Sequence, residues 1–155
     1  MRIAYLIARF GEIDTAVQKA KVWSAADMEM QAVMAAYLVV FIAGCYEDCV
    51  EYLVVERAGK HGDVEVQNFI RASVDATFRN PRFDTIKNLI AYYSDAYKKE
   101  LENRVDERSR AAIASIMNNK NLVSHGKRTA VTLGDVETFH AGSIPIFEAL
   151  EDILA

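Results

Sequence analysis

The fold is decided by residues 24–58, SAADMEMQAVMAAYLVVFIAGCYEDCVEYLVVERA. Ser24 and Asp27 have the spacing of a capping box, and the helical pattern then continues until Gly59. The segment therefore predicts one helix of about 33 residues, about 50 Å long at the usual rise of ~1.5 Å per residue. Because this length exceeds the diameter of a small domain, we expect the helix either to bend near Gly44 or to be the spine of the fold.

The middle of this helix, residues 30–46, contains no charged side chain over 17 residues. That length is at the lower edge of what crosses a bilayer, and Glu29 and Glu47 flank the run. The run is also rich in alanine and contains a glutamine and a glycine. These features favour a core helix that is buried on all sides over a membrane span.

Length and composition predict a single domain, residues 1–155, and the cysteines described below are those expected of a cytoplasmic protein. Hydrophobic residues make up 52% of the chain, and seven Gly and two Pro leave room for long uninterrupted helices. Residues 1–10 lack the pattern of a signal peptide, because Arg2 and Arg9 enclose only six uncharged residues. Cys45 and Cys49 are the only cysteines, and reduced core thiols are the expected state.

Apolar spacing and capping residues predict the remaining helices, and residues 97–107 are predicted to be a solvated charged surface. Asp63 and Asp84 are the expected caps of two of these helices, and Thr132 with Asp135 forms a capping box. The helices are expected at about 2–21, 63–78, 84–93, 105–124 and 132–154. The chain is therefore predicted to be all-α, an up-and-down bundle of five to six helices with a long central second helix.

Charge is unevenly distributed along the chain. Residues 79–128 contain eleven Lys or Arg and six Asp or Glu, a balance of +5, whereas residues 1–78 carry −4 and residues 129–155 carry −5. The polar sequence KNLVSHG, residues 120–126, lies at the end of the basic segment, and Gly126 is expected to terminate the helix there. The chemistry of the protein is expected at this helix end.

Three histidines are present, and their surroundings differ. His61 lies between glycines in what should be an exposed turn, and His140 falls on the apolar face of the last helix, as expected for a core or interface histidine. His125 follows the basic helix and precedes Lys127 and Arg128, and histidine is the side chain that titrates near neutral pH. No cysteine or carboxylate stands at ligand spacing beside any of them, so no metal site is predicted.

Helix geometry restricts how Lys120 and His125 could act together. Asn121 and His125 are four residues apart and share a helix face, whereas Lys120 and His125 are five apart, about 140° around the helix. The two side chains would reach one atom if the helix ended near Ser124. A second copy of the segment across a two-fold axis would also bring them together, which suggests a composite site in a dimer.

The sequence NKNLVSHG, residues 119–126, together with the capped final helix, resembles the HEPN superfamily. The motif of that superfamily is an arginine, usually followed by a polar residue, with four to six residues before a histidine. VVFIAGCYEDCVEYLV, residues 39–54, is similar to the long second helix of the RiboL-PSP-type HEPN families, with Gly44 and Glu47 at a matching spacing. The resemblance extends from about residue 33 onward.

The resemblance implies a metal-independent endoribonuclease that needs no cofactor, acts as a homodimer on RNA, and serves toxin–antitoxin or phage-defence systems, where an antitoxin partner can inhibit it. His125 would be the general acid or base, Asn121 would orient it, and Lys120 would occupy the arginine position. Glu47, Lys127 and Arg128 would contact RNA or support the catalytic residues.

Lys120 departs from the family pattern, because arginine grips a phosphate with a planar fork and lysine offers a point charge. The resemblance therefore leaves a second expectation open. The chain would then be a catalytically degenerate HEPN module that binds RNA or a partner protein without cleavage.

Overall fold

The computed structural model describes residues 1–60 and 63–154, and these ranges form helices without any strand. The all-α prediction is confirmed. The described residues contain seven helices: α1 (Ala4–Trp23), α2 (Met28–Gly59), α3 (Val64–Thr77), α4 (Phe83–Ala91), α5 (Asp95–Arg104), α6 (Glu107–Ser124) and α7 (Leu133–Leu154).

The seven helices of the described residues exceed the predicted five to six, because α5 overlaps residues 97–107, which are predicted to be a solvated charged surface. Ser94 caps α5 by accepting a hydrogen bond from the backbone N–H of Ala96. Leu101 is the one buried residue of this helix, so its sequence shows almost no apolar periodicity. Val105, predicted to lie in the next helix, is instead the buried C-cap of α5, and Asp106 caps α6.

Helix α2 is the spine of the bundle and packs against α1, α3, α6 and α7. It begins four residues later than predicted. The side chain of Asp27 caps it by accepting from the N–H groups of Glu29 and Met30 at 2.9 and 3.0 Å. Ser24 instead ends α1, where its hydroxyl donates to the carbonyl of Ala20 at 2.7 Å. The predicted capping box at Ser24 is therefore wrong, whereas the predicted end at Gly59 is confirmed.

The expectation that α2 is buried on all sides is also wrong for its N-terminal half. Met30, Val33, Tyr37 and Val40 are 38, 56, 59 and 38% exposed, and their three- and four-residue spacing places them on one face. We call these four residues the α2 stripe. Among the described helices, α2 alone is long and apolar enough to cross a membrane, a property it shares with core helices of soluble proteins.

Contacts along α7 fix the directions of its neighbours. Tyr46 contacts His140, and Lys60 contacts the carbonyl of Leu154, so α2 and α7 run parallel. Lys21 pairs with Glu137 while the N-terminal amino group pairs with Glu148, so α1 runs antiparallel to α7. The contact of Tyr46 with His140 places the start of α7 beside about residue 39 of α2, so the α2 stripe lies at the end of the bundle where α7 begins.

Helix α6 packs closely against α7. A Cβ atom added to Gly142 would lie 2.8 Å from the Cβ of Ala112, so the glycine permits this approach of the two helices. Thr132 and Asp135 form the predicted capping box of α7, with bonds of 2.9 and 3.1 Å in the two directions. The C-terminus of α6 therefore lies at the same end of the bundle as the start of α7 and the α2 stripe.

Of the two predicted aspartate caps, the one for α3 is confirmed and the one for α4 is wrong. Asp63 caps α3 as predicted, through the N–H groups of Glu65 and Val66. Asp84 does not cap α4, which begins at Phe83 after Arg82, so Asp84 lies in the first turn. The prediction that His61 lies in an exposed turn concerns a residue outside the described ranges.

Candidate functional site

The C-terminus of α6 ends in a Schellman motif that sets the position of His125. Gly126 adopts a left-handed φ of 67°. The N–H of Gly126 donates to the carbonyl of Val123 at 2.9 Å, and the N–H of Lys127 donates to the carbonyl of Leu122 at 2.9 Å. Glycine is required here because a side chain is strained in this conformation. His125 is the C-cap residue, with φ −96° and ψ 17°, and its side chain is exposed.

The helix thus ends at Ser124. A helix end near Ser124 was one of the two predicted arrangements that would let Lys120 and His125 reach the same atom. Within α6, Lys120 continues the row of buried residues that includes Ile113 and Ile116, and it is partly buried at the edge of the core. His125 lies about 140° away around the helix axis. No hydrogen bond joins the two side chains, so the described chain brings them to one helix end without pairing them.

Polar side chains at this helix end are free of protein partners. In the part of the chain that the structure describes, the side chains of Lys120, Asn121, His125, Lys127 and Arg128 form no hydrogen bond or ion pair. His125, Lys127 and Arg128 are exposed, and the other two are partly buried. The positive charges of Lys120, Lys127 and Arg128 also offset the partial negative charge of the helix C-terminus. The surface can accept an anion because no described carboxylate neutralises these charges.

The loop after His125 is held against α6. The amide of Asn119 donates to the carbonyl of Ser115 at 2.8 Å, and its oxygen accepts a hydrogen bond from the hydroxyl of Thr129. That hydroxyl in turn accepts from the N–H of Val131 at 3.2 Å. Lys127 and Arg128 therefore project from a loop that is fixed at both ends.

Glu47, predicted to line the site, supports a turn beside α6. Its carboxylate accepts a hydrogen bond from the backbone N–H of Asn80 at 2.6 Å. Asn80 has a φ of 64°, which is uncommon for a residue with a side chain, and the hydroxyl of Thr85 closes the turn by donating to the carbonyls of Asn80 and Arg82, each at 2.9 Å. Pro81 is buried. Glu47 thus holds the backbone of the turn that presents Arg82.

Arg82 joins this turn to α6. Its guanidinium donates to the amide oxygen of Asn118 at 2.6 Å, across 36 residues of sequence. Arg82, Asn118 and Asn119 were not among the predicted site residues. The sequence signal nearest to them is Asn80-Pro81, which marks a helix end and a turn but not the helix that the turn will contact.

The other reactive residue types lie in the core. Burial raises the pKa of Cys45 to about 11 and that of Cys49 to about 12, so both thiols are protonated at neutral pH. Burial also lowers the pKa of His140, although the nearby carboxylate of Asp14 opposes the shift. The Nδ1 atom of His140 lies 2.9 Å from the hydroxyl of Tyr46, as expected for a core histidine.

Metal ligands are not clustered in the described ranges, where no group of three or more His, Cys, Asp or Glu side chains is positioned to hold an ion. Comparisons of the chain with protein-family models, with curated proteins and with solved structures find no match. The candidate site is therefore defined by its own residues and geometry.

Proposed function

We propose that the protein acts on RNA, through a surface formed by the C-terminus of α6 and the loop that follows it, and that it cleaves RNA as a homodimer. The observation that carries the proposal is the exposed His125 at the end of α6, within five residues of Lys120, Lys127 and Arg128, which have no acidic partner among the described residues. The resemblance of residues 119–126 to the HEPN motif supports the assignment to RNA. A role in a cytoplasmic toxin or phage-defence system belongs to the same proposal.

The proposed reaction is an internal transfer that needs no added nucleophile. The ribose 2′-oxygen attacks the adjacent phosphorus and loses its proton to a base, while the bond from phosphorus to the 5′-oxygen breaks and that oxygen gains a proton. The products are a 2′,3′-cyclic phosphate and a 5′-hydroxyl. His125 takes the first proton or gives the second, and Asn121, on the same helix face four residues earlier, orients the imidazole.

Lys120 supplies positive charge for the phosphate that becomes pentavalent in the transition state. It is partly buried, so its charge is less screened by water than that of an exposed lysine. Lys127 and Arg128 lie on the fixed loop next to His125 and contact neighbouring phosphates of the strand.

The α2 stripe supports the proposal of a homodimer. Its four exposed apolar residues belong to the uncharged run 30–46. Trp23, the last residue of α1, is also 69% exposed and comes shortly before the stripe in the sequence. Two copies of an uncharged stripe can pack together without like-charge repulsion, and exposed apolar patches mark interaction surfaces. Because the stripe and the end of α6 lie at the same end of the bundle, such a dimer would place the two α6 ends close together.

A second function, RNA binding without cleavage, is favoured by one residue. Lys120 stands where the superfamily motif has arginine, and lysine lacks the planar fork that fixes the orientation of a phosphate. In this alternative the same surface binds the RNA backbone, and His125 has no chemical role.

Cleavage of a labelled oligoribonucleotide in EDTA distinguishes the two functions. The substrate is compared with the same oligonucleotide carrying a 2′-deoxy residue at the cleaved position, which lacks the attacking oxygen. We expect the wild-type protein to cut the first and not the second, leaving a cyclic phosphate, and Lys120→Arg to cut at least as fast.

Arg108→Lys, at the other end of α6, is the matched control for the arginine–lysine exchange and should not change the rate. Binding with no cleavage by the wild-type protein or Lys120→Arg would establish the binding module instead. Failure of the wild-type protein both to cut and to bind would contradict both functions.

A further inference from the structure

Arg82 is an arginine whose charge is not neutralised by any carboxylate in the described ranges. Its one side-chain hydrogen bond, at 2.6 Å, goes to the neutral amide oxygen of Asn118. A guanidinium has five N–H donors, so four remain for another partner. A surface arginine in this state can bind a phosphate without first losing an ion pair.

Several contacts fix the backbone of the turn that carries Arg82. Glu47 holds the N–H of Asn80, Thr85 holds the carbonyls of Asn80 and Arg82, and Pro81 is buried. A left-handed asparagine costs conformational energy and persists when its surroundings fix it. The fixed turn and the bond to Asn118 together restrain the Arg82 side chain, which reduces the entropy that a bound ligand must remove.

The helix face that Arg82 contacts is the face of His125. Asn118 and His125 are seven residues apart, which is two turns of helix and about 10 Å, and Asn121 lies between them on nearly the same face. Lys120 is two residues after Asn118, about 200° around the axis. The guanidinium of Arg82 therefore lies against the face of α6 that carries His125, whereas Lys120 approaches the helix end from the opposite face.

We infer that Arg82 is a substrate-binding residue that grips an RNA phosphate neighbouring the one beside His125, an inference that rests on the proposed action on RNA. Its planar fork provides the two-pronged phosphate contact that Lys120 cannot make. The bound RNA then runs along α6 from Asn118 to His125, past Asn121. Asn118 orients the guanidinium, and Glu47 acts through the turn.

The test is binding of a fluorescein-labelled single-stranded oligouridylate, measured by anisotropy at several salt concentrations. All proteins carry His125→Ala so that the RNA stays intact. Arg82→Gln removes the charge but keeps a donor for Asn118, and Arg82→Lys keeps the charge but loses the fork. Arg108→Gln is the control, because Arg108 is also exposed and lies 17 residues, about 25 Å, from His125 along the same helix.

We expect Arg82→Gln to weaken binding roughly tenfold. The slope of log affinity against log salt should become shallower by about 0.7, the value for one phosphate contact on a single strand. Arg82→Lys should keep the slope and lose part of the affinity, and Arg108→Gln should change neither. A purely structural role of Arg82 would instead leave the slope of Arg82→Gln unchanged.

An unchanged slope and affinity in Arg82→Gln, with RNA still bound by the parent protein, would overturn the inference and leave the proposed function standing. If the His125→Ala parent does not bind RNA and the wild-type protein does not cut it, the proposed function fails, and the role of Arg82 fails with it. Circular dichroism of each variant identifies any loss of fold.

Discussion

The carboxylate of Glu47, in the middle of α2, accepts a hydrogen bond from the backbone N–H of Asn80 at 2.6 Å. The contact spans 33 residues of sequence and ties the spine of the bundle to a left-handed turn between α3 and α4. Because this turn carries Arg82, the bond links the core to the candidate site.

Glu47→Ala should destabilise the protein by about 1–3 kcal/mol, because the N–H of Asn80 loses its acceptor in a partly buried place. Glu47→Gln keeps an acceptor oxygen and should cost clearly less. Urea denaturation measures both, with Glu56→Ala as a control, since Glu56 is exposed on the same helix. Equal stabilities of Glu47→Ala and the control variant would contradict a supporting role of Glu47.

Two glycine substitutions should have opposite effects on stability. Gly126→Ala places a side chain in the left-handed conformation that ends α6 and should cost about 1–2 kcal/mol. Gly11→Ala, in the interior of α1 with no atom within 4 Å of the new Cβ, should stabilise the protein by roughly 0.5–1 kcal/mol. Thermal melting of both variants tests the pair, and a stabilising Gly126→Ala would argue against the Schellman motif.

Acid should destabilise the fold through His140. Burial lowers its pKa in the folded protein below the ordinary value of 6.5, so the unfolded chain binds a proton more readily below that pH. Above pH 6.5 His140 is neutral in both states and does not lower the free energy of unfolding. As the pH falls from 6.5 toward the folded-state pKa, the free energy of unfolding decreases by at most about 1.4 kcal/mol per pH unit. Denaturation of wild type and His140→Gln between pH 5 and 8 should show a shallower decline for the variant; parallel curves would exclude His140 as the source.

The α2 stripe should hold the homodimer together. Light scattering of the wild-type protein at micromolar concentration should give about twice the mass of the 17.4 kDa chain. Val33→Glu, in the middle of the stripe, should give the monomer mass, because burying an unpaired carboxylate at the interface is costly. Val64→Glu is the control, as Val64 is 68% exposed on α3 outside the stripe. A monomeric wild-type protein would contradict the interface.

Local signals in the sequence predicted much of the fold. The end of α2 at Gly59, the cap of α3 at Asp63 and the capping box of α7 each depend on residues within four positions of one another. Helix α5 could not be predicted from apolar spacing, because Leu101 is its one buried residue. The exposure of the α2 stripe could not be predicted either, because it depends on where α7 begins.

The candidate site was predictable only where it is local. Lys120, Asn121, His125 and Gly126 follow one another on α6 and its cap, so their order and the helix end could be predicted from the sequence. The bond of Arg82 to Asn118 joins residues that are 36 positions apart, and no periodicity or motif encodes such a pairing.

We propose that His125 takes part in cutting RNA, and the rate of cleavage in EDTA by His125→Ala measures this role. General acid–base catalysis contributes about 10²–10⁴-fold, so the variant should be at least about 100-fold slower than the wild-type protein while its RNA affinity changes little. Cleavage by His125→Ala at the wild-type rate would show that His125 has no part in the reaction.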